Sequence, residues 1–234
     1  MEGALKMINS KSVIIKKLII MDVCNTLVNT NSTYSYIKYL IDNWVKTHYK
    51  FFFKEKIMVL LSIIFKIFSQ NYEEYIVWNY FKWLNVEEIK KNSEKYFIRY
   101  EWKISKDLEK IILNNKDNDI VLLSAAINPP VDFLKNKFNI NWFSSILEEK
   151  DWIYTWKIIN PLRWKKETIF RNRKLDIGSY KYVDLITDNI DDINLIEYLN
   201  KGTKNFKAYI KPYKNNSFRI KYFNSNHINY EFIH

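Results

Sequence analysis

Residues Leu18-Ile19-Ile20-Met21 form an apolar run that stops on a single carboxylate, Asp22, and turns at once through Val23-Cys24-Asn25-Thr26-Leu27. A buried strand ending on Asp places a carboxylate at the carboxyl edge of a sheet, where open α/β proteins build their sites. The pattern recurs. Asp119-Ile120-Val121-Leu122-Leu123 runs into Ser124, Tyr182-Val183-Asp184-Leu185-Ile186 runs into Thr187-Asp188, and residues 206–210 are a fourth run of the same kind. Short apolar runs separated by helical patterns predict a parallel sheet with helical crossovers. The expected fold class is α/β with a Rossmann-like parallel core, its first strand within 13–23, and Asp22, Ser124 and Asp188 gathered along one edge.

Between the first two runs lie residues 29–110, far longer than an ordinary crossover. Ser32 or Thr33 can cap a helix carrying Tyr36, Tyr39, Leu40 and Trp44 at helical spacing. Further helical stretches are read at 57–68, 72–84 and 86–102. The segment is therefore expected to be an all-helical insertion roofing the Asp22 edge. The domain reading is an α/β core of 10–28 and 111–215, a helical cap of 29–110 and a C-terminal tail of 216–234.

Composition narrows the partners. The 234 residues are 47% hydrophobic and 17% aromatic, enough for a sizeable core and against global disorder. A net charge of +11 suits nucleic acid, an anionic membrane surface or an anionic substrate. No helix-turn-helix, zinc or ribonucleoprotein pattern accompanies it, which sets nucleic acid aside. The apolar run Ile57-Met58-Val59-Leu60-Leu61-Ser62-Ile63-Ile64-Phe65 falls short of the roughly 20 residues a span requires, and it lies between Lys56 and Lys66. It reads as a buried cap helix. A helix lying in a membrane interface beside Phe51-Phe52-Phe53 is the alternative, so peripheral contact with an anionic membrane stays open. The lone cysteine excludes an intramolecular disulfide and suits a reducing compartment. Residues 1–7 lack a signal-peptide layout, and a cytoplasmic location is expected.

Four stretches then fall into order. Asp22-Val23-Cys24-Asn25-Thr26-Leu27 has the form Asp-x-Asp-x-Thr-Leu except at Cys24, and Leu122-Leu123-Ser124-Ala125-Ala126 is followed by Pro129-Pro130-Val131. Lys165-Lys166-Glu167 precedes apolar Ile169, and Thr187-Asp188-Asn189-Ile190-Asp191-Asp192 resembles a Gly-Asp-Ser-x-x-Asp signature. Any one match is weak; four in order, each at an expected strand end or helix start, are specific. Together they resemble the four motifs of the haloacid dehalogenase superfamily, nearest to its phosphoserine-phosphatase-like branch with a helical cap between the first two motifs. The resemblance runs from about Val13 to Ile210.

What the resemblance implies is a Mg²⁺-dependent phosphoryl-transfer enzyme acting on a small phosphorylated substrate, such as a sugar phosphate or a polysaccharide or lipid precursor. Asp22 would be the nucleophile and would form an aspartyl-phosphate. Asp22, the backbone carbonyl of Cys24, Asp188 and Asp192 would form the metal side, with Asp192 holding either Lys166 or a metal water. Thr26, Ser124, Ala125 and one of Lys165 or Lys166 would hold the phosphate, Lys166 being favoured because Ile169 follows at the familiar offset. Taken singly, each residue has a plainer reading: Asp22 as a turn cap, Ser124 as a helix cap, the lysines as part of a solvated basic face with Arg171, Arg173 and Lys174. Tyr34 and Tyr36 suit a substrate pocket or cap–core packing equally. His48, His227 and His234 show no ligand spacing.

Cys24 divides the functional readings. In phosphatases of this superfamily the corresponding residue protonates the leaving group and later activates water. A thiol with an ordinary pKa of about 8.5 is a poor replacement for a carboxylate near 4 in that base role. Three readings follow: a phosphatase with altered proton handling, a phosphotransferase whose intermediate waits for an acceptor, and a scaffold that binds phosphate without turnover.

Overall fold

The computed structural model describes residues 16–43, 80–163, 165–188, 192–211 and 217–233. Strand β1 (Lys17–Met21) lies near the centre of a six-stranded sheet. The order is β3 (Asn141–Ser145), β2 (Asp119–Ile127), β1, β6 (Tyr182–Thr187), β7 (Phe206–Ile210) and β8 (Tyr230–Phe232), and every pairing is parallel. Alternate residues of β1 enter different cores. Ile19 and Met21 join one cluster, Leu18 and Ile20 the other, and β2 divides Ile120 and Leu122 from Val121 and Leu123 in the same way. A strand buried on both faces must be apolar throughout, which is why these strands read as runs rather than alternations. The chain winds from β1 through β2 to β3 on one side, then from β6 through β7 to β8 on the other. The crevice between β1 and β6 is therefore the topological switch point, and both strands end beside it.

Helices cover both faces. Helix α1 (Ser32–Asp42), α2 (Val86–Arg99) and α3 (Lys106–Asn114) lie between β1 and β2 in the chain, and α4 (Asn128–Phe138) follows β2. Their buried residues share one core with Ile19 and Met21. Residues from α5 (Thr168–Arg171), α6 (Ile193–Gly202) and α7 (Ser217–Ser225) join the opposite core. The starts and stops follow helix chemistry. Asn85 accepts the Glu88 amide ahead of α2, whose first turn carries Glu87 and Glu88 and whose last carries Arg99. Pro129 and Pro130 sit in the first turn of α4, which ends at Asn139 in the left-handed conformation, φ 51°. Among the described residues no helix is long and apolar enough to cross a membrane.

Several expectations are corrected. The first strand occupies Lys17–Met21 rather than the wider 13–23, and 13–15 lie outside the described residues. The second does not stop at Ser124 but runs on to Ile127, with a register shift against β3 between Leu123 and Ile127. The cap of α1 is Asn31, which accepts the Tyr34 amide, because Ser32 and Thr33 are buried and bonded elsewhere. The fourth helical stretch ends at Arg99, with a 3₁₀ turn over Glu101–Lys103. Helix α3 crosses the expected boundary at 110. The stretches at 57–68 and 72–79, like Trp44, lie outside the described residues.

Two features were not foreseen. Residues 216–234, read as a tail, contribute α7 and the edge strand β8, which pairs Ala208–Ile210 with Tyr230–Phe232. Strands β4 (Leu147–Lys150) and β5 (Ile153–Ile158) form an antiparallel hairpin. Its turn residues Asp151 and Trp152 both have positive φ, 51° and 64°. Such a turn ordinarily announces itself with Asn-Gly or Asp-Gly, and Asp-Trp conceals it. The hairpin also ties the insertion to the core. The Trp83 amide donates to the Tyr154 carbonyl at 2.9 Å, that of Tyr154 to Leu84 at 3.0 Å, and that of Val86 to Trp152 at 3.0 Å.

Candidate active site at the β1–β6 crevice

The turn after β1 shapes the site. Asn25 takes a left-handed φ of 57°, a conformation Asn tolerates better than most residues. The Leu27 amide returns to the Asp22 carbonyl at 3.3 Å and that of Val28 to Val23 at 2.9 Å, so the loop folds back over its own strand end. Thr26 is thereby brought between two carboxylates. Its hydroxyl lies 3.0 Å from Asp188 Oδ1 and 3.4 Å from Asp22 Oδ2, and it accepts the Asp188 amide at 3.0 Å. One hydroxyl carries one hydrogen, and the shorter contact makes Asp188 the better placed of the two to receive it.

Lys166 supplies the cation. The short helix α5 buries Ile169 and Phe170 in the core, and the turn ahead of it, in which the Ile169 amide donates to the Lys166 carbonyl at 3.2 Å, sinks the Lys166 side chain to 5% exposure. Its ammonium lies 2.8 Å from Asp22 Oδ1 and 2.9 Å from Asp192, which also accepts the Thr187 hydroxyl at 2.7 Å. Asp22 itself is 2% exposed, and its amide donates to the Ile186 carbonyl at 2.9 Å. Burial pushes the Asp22 carboxyl up to about 7; Lys166 opposes the rise, while Asp192 and Asp188 add to it. Asp188 is raised for the same first reason, burial, with the Thr26 bond opposing. Burial pulls Lys166 down, yet the charges of Asp192 and Asp22 outweigh it and the net shift is upward. Lys166 is therefore a fixed positive charge.

Cys24 stands apart from this network. Its Sγ lies 3.0 Å from Ser32 Oγ, linking the loop to the first turn of α1. Burial and the neighbouring Asp22 charge raise its pKa, so it is held as a neutral thiol. Ser124 is fully buried, but its hydroxyl accepts the Ala126 amide at 3.1 Å and makes no bond to the Asp22 network. The Ala126 amide is thereby engaged within its own strand. Half-buried Ala125 offers its carbonyl to the Ser145 hydroxyl at 2.9 Å.

The two lysines separate cleanly: Lys165 is exposed, whereas Lys166 is in the site. Asp192, expected on the metal side as the holder of Lys166 or of a metal water, holds Lys166. Tyr36 is fully buried among Tyr39, Phe81 and Tyr96 and hydrogen-bonded to the Ile89 carbonyl, so it packs the insertion instead of lining a pocket. Tyr34 is half-buried beside that core, and the positive charge of Arg163 reaches it. Asp191 lies outside the described residues. Sequence reasoning named Ser32 only as a helix cap and Thr187 only as part of a strand end and motif, and it passed over Lys211. Thr187 precedes a motif aspartate and was legible; Ser32 and Lys211 carry no local signal.

The donor set can be tested against Mg²⁺. No group of three or more His, Cys, Asp or Glu side chains among the described residues encloses a cation by itself. Two buried carboxylates, Asp22 and Asp192, nevertheless flank the Lys166 ammonium, a third, Asp188, is joined to Asp22 through Thr26, and burial pushes Asp22 and Asp188 upward. An excess of hard oxygen donors without a full protein cage suits Mg²⁺, which keeps several waters and shares a phosphate. Asp22 and Asp188 are the carboxylates that would hold it.

No protein-family model and no curated protein matches the sequence. Solved structures do resemble it. A protein of unknown function from Bordetella pertussis Tohama I aligns with a TM-score of 0.75 at 11% identity, over 92% of this chain and 98% of that one. A haloacid dehalogenase family hydrolase from Salmonella enterica serovar Typhi aligns at 0.60 and 14%, over 89% and 66%. A phosphoserine phosphohydrolase-like protein from Francisella tularensis aligns at 0.54 and 20%, over 83% and 87%. The chain therefore has the haloacid dehalogenase fold, as its strand ends and motif order led us to expect.

Proposed function

We propose that this chain is a Mg²⁺-dependent phosphatase acting on a small phosphate ester through an aspartyl-phosphate on Asp22. The observation that carries the reading is the buried Asp22 carboxylate at the switch point, held by Lys166 at 2.8 Å with Asp188 beside it through Thr26. Phosphoryl transfer demands positioning and charge neutralisation more than covalent machinery. Lys166 would neutralise one phosphate oxygen while fixing the rotamer of the nucleophile. Mg²⁺ on Asp22 and Asp188 would supply the remaining neutralisation, without which a carboxylate and a phosphate dianion repel each other. An Asp22 oxygen forms a bond to phosphorus as the ester oxygen leaves with the bonding pair and takes a proton from solvent water. Water then attacks the phosphorus, releasing inorganic phosphate and restoring the carboxylate. Mixed neighbours, including a structure named for a cytosolic 5'-nucleotidase and several for phosphoserine phosphatases, leave the ester itself open.

A second reading has its own support. Cys24 is a neutral thiol bonded to Ser32, so no carboxylate stands two residues after Asp22 to deprotonate the attacking water. Formation of the aspartyl-phosphate would outrun its hydrolysis, which suits transfer to a hydroxyl acceptor. A screen of phosphate esters in Mg²⁺ and in EDTA, with Asp22→Asn as the blank, tests both readings. Mg²⁺-dependent phosphate release absent from the blank supports the phosphatase. Release that rises with an added alcohol supports the transferase. No release and no labelling of Asp22 by any donor leaves a phosphate-binding scaffold.

A further inference from the structure

We propose that Lys211 is a positioning residue of this site, acting through Thr26 on Asp188; its catalytic consequence rests on the phosphoryl-transfer reading above. Lys211 follows the last residue of β7, and its amide donates to the Thr187 carbonyl at 2.9 Å, which fixes it at the same sheet edge as Asp22 and Asp188. Its ammonium donates to the Thr26 carbonyl at 3.0 Å and to the Asn29 side-chain oxygen at 2.5 Å. Thr26 is thus held at both ends, its carbonyl by Lys211 and its hydroxyl by Asp188.

Asn29 extends the link. Its amide donates to the Lys103 carbonyl at 2.8 Å, far along the segment that separates β1 from β2. One ammonium therefore ties the turn where the chain leaves the core to the threonine that orients Asp188. The cation is partly withdrawn from water to make these bonds, and burial lowers its pKa against the pull of Asp188. Charge-assisted hydrogen bonds are about twice as strong as neutral ones, so a cation at this position restrains the turn more than a neutral donor would. Neither acceptor is a carboxylate, so Lys211 neutralises no bonded anion. Its hydrogen bonds act on the geometry of the turn, while its charge is felt by Asp188 from beyond hydrogen-bond reach.

The test compares wild type with Lys211→Met, which keeps the stem and removes the donors, and with Lys211→Arg, which restores them. Hydrogen exchange read by mass spectrometry over residues 24–31 is expected to quicken about tenfold in Lys211→Met, with β6 and β7 unchanged, and to return toward wild type in Lys211→Arg. Mg²⁺ titrated by calorimetry should bind more weakly to Lys211→Met. In the ester assay kcat should fall about 10- to 100-fold with little change in KM, the size expected when a reacting group is misplaced by a fraction of an ångström. Unchanged exchange, tighter Mg²⁺ binding (the sign of a lost charge alone) or a raised KM at constant kcat would each overturn the proposal. Should Lys211→Met not fold, Asn29→Ala removes one acceptor and must shift exchange in the same direction. A wild type inert toward every ester would sink the phosphoryl-transfer reading, while exchange and calorimetry would still decide Lys211.

Discussion

Thr26 and Asp188 exchange two hydrogen bonds across 162 positions of sequence: the Thr26 hydroxyl donates to Asp188 Oδ1 at 3.0 Å, and the Asp188 amide donates back to the same hydroxyl oxygen at 3.0 Å. Both residues are buried, so neither group has water as a substitute. Thr26→Val keeps the shape and deletes both bonds, leaving a buried amide and a buried carboxylate oxygen unmatched. A cost of about 1–3 kcal/mol is expected. Urea denaturation checks it, and Thr26→Ser should recover most of the loss.

Lys166 and Lys165 should behave oppositely. Lys166→Met strands two buried carboxylates, Asp22 and Asp192, and removal of one partner from a buried ion pair costs about 3–5 kcal/mol. Lys165 is exposed, and Lys165→Met should stay within about 0.5 kcal/mol of wild type with its activity intact. Paired denaturation and activity measurements separate the two; an inactive Lys165→Met alongside an active Lys166→Met would exchange the roles of the two lysines.

Cys24→Asp should speed breakdown of the aspartyl-phosphate, because a well-placed carboxylate contributes about 10²–10⁴-fold as general acid or base. Rapid-quench labelling measures this directly. The wild type should accumulate label that Asp22→Asn cannot take up, and Cys24→Asp should shed it faster. Equal lifetimes in wild type and Cys24→Asp would show that proton handling does not limit turnover.

The carboxylates also set a pH dependence without metal. Asp22, raised to about 7, and Asp188, also raised, bind more protons folded than unfolded between the ordinary Asp value near 4 and their folded values. Their contribution to stability is therefore complete below about pH 4 and is lost as pH rises through their folded values, about 7 for Asp22. Mg²⁺ would replace those protons, so its stabilisation should be larger at about pH 8 than at about pH 5. Thermal melts with Mg²⁺ and with EDTA at both values provide the check. An Mg²⁺ effect equal at the two, or larger at the acidic one, contradicts this account of the site.

The sequence alone determined the parallel sheet, because a strand buried on both faces must be apolar along its length and must end where the chain meets water. Asp22 and Asp188 were legible for that reason: each ends a hydrophobic run that locates it, whereas Lys166 was favoured over Lys165 only through the motif resemblance. The three-residue strand β8 was not legible, since Tyr230-Glu231-Phe232 is too short to show a period and is stabilised by β7 rather than by its own propensity. The hairpin turn at Asp151-Trp152 hid for a related reason, its positive φ values being sustained by pairing with residues 83–86. Only the tertiary structure decided which lysine enters the site, that Ser124 bonds within its own strand, that Asp192 holds Lys166, and that Cys24 meets Ser32 and Lys211 meets Thr26. Those are meetings of side chains fixed by how helices close over a sheet edge, and no local pattern encodes them.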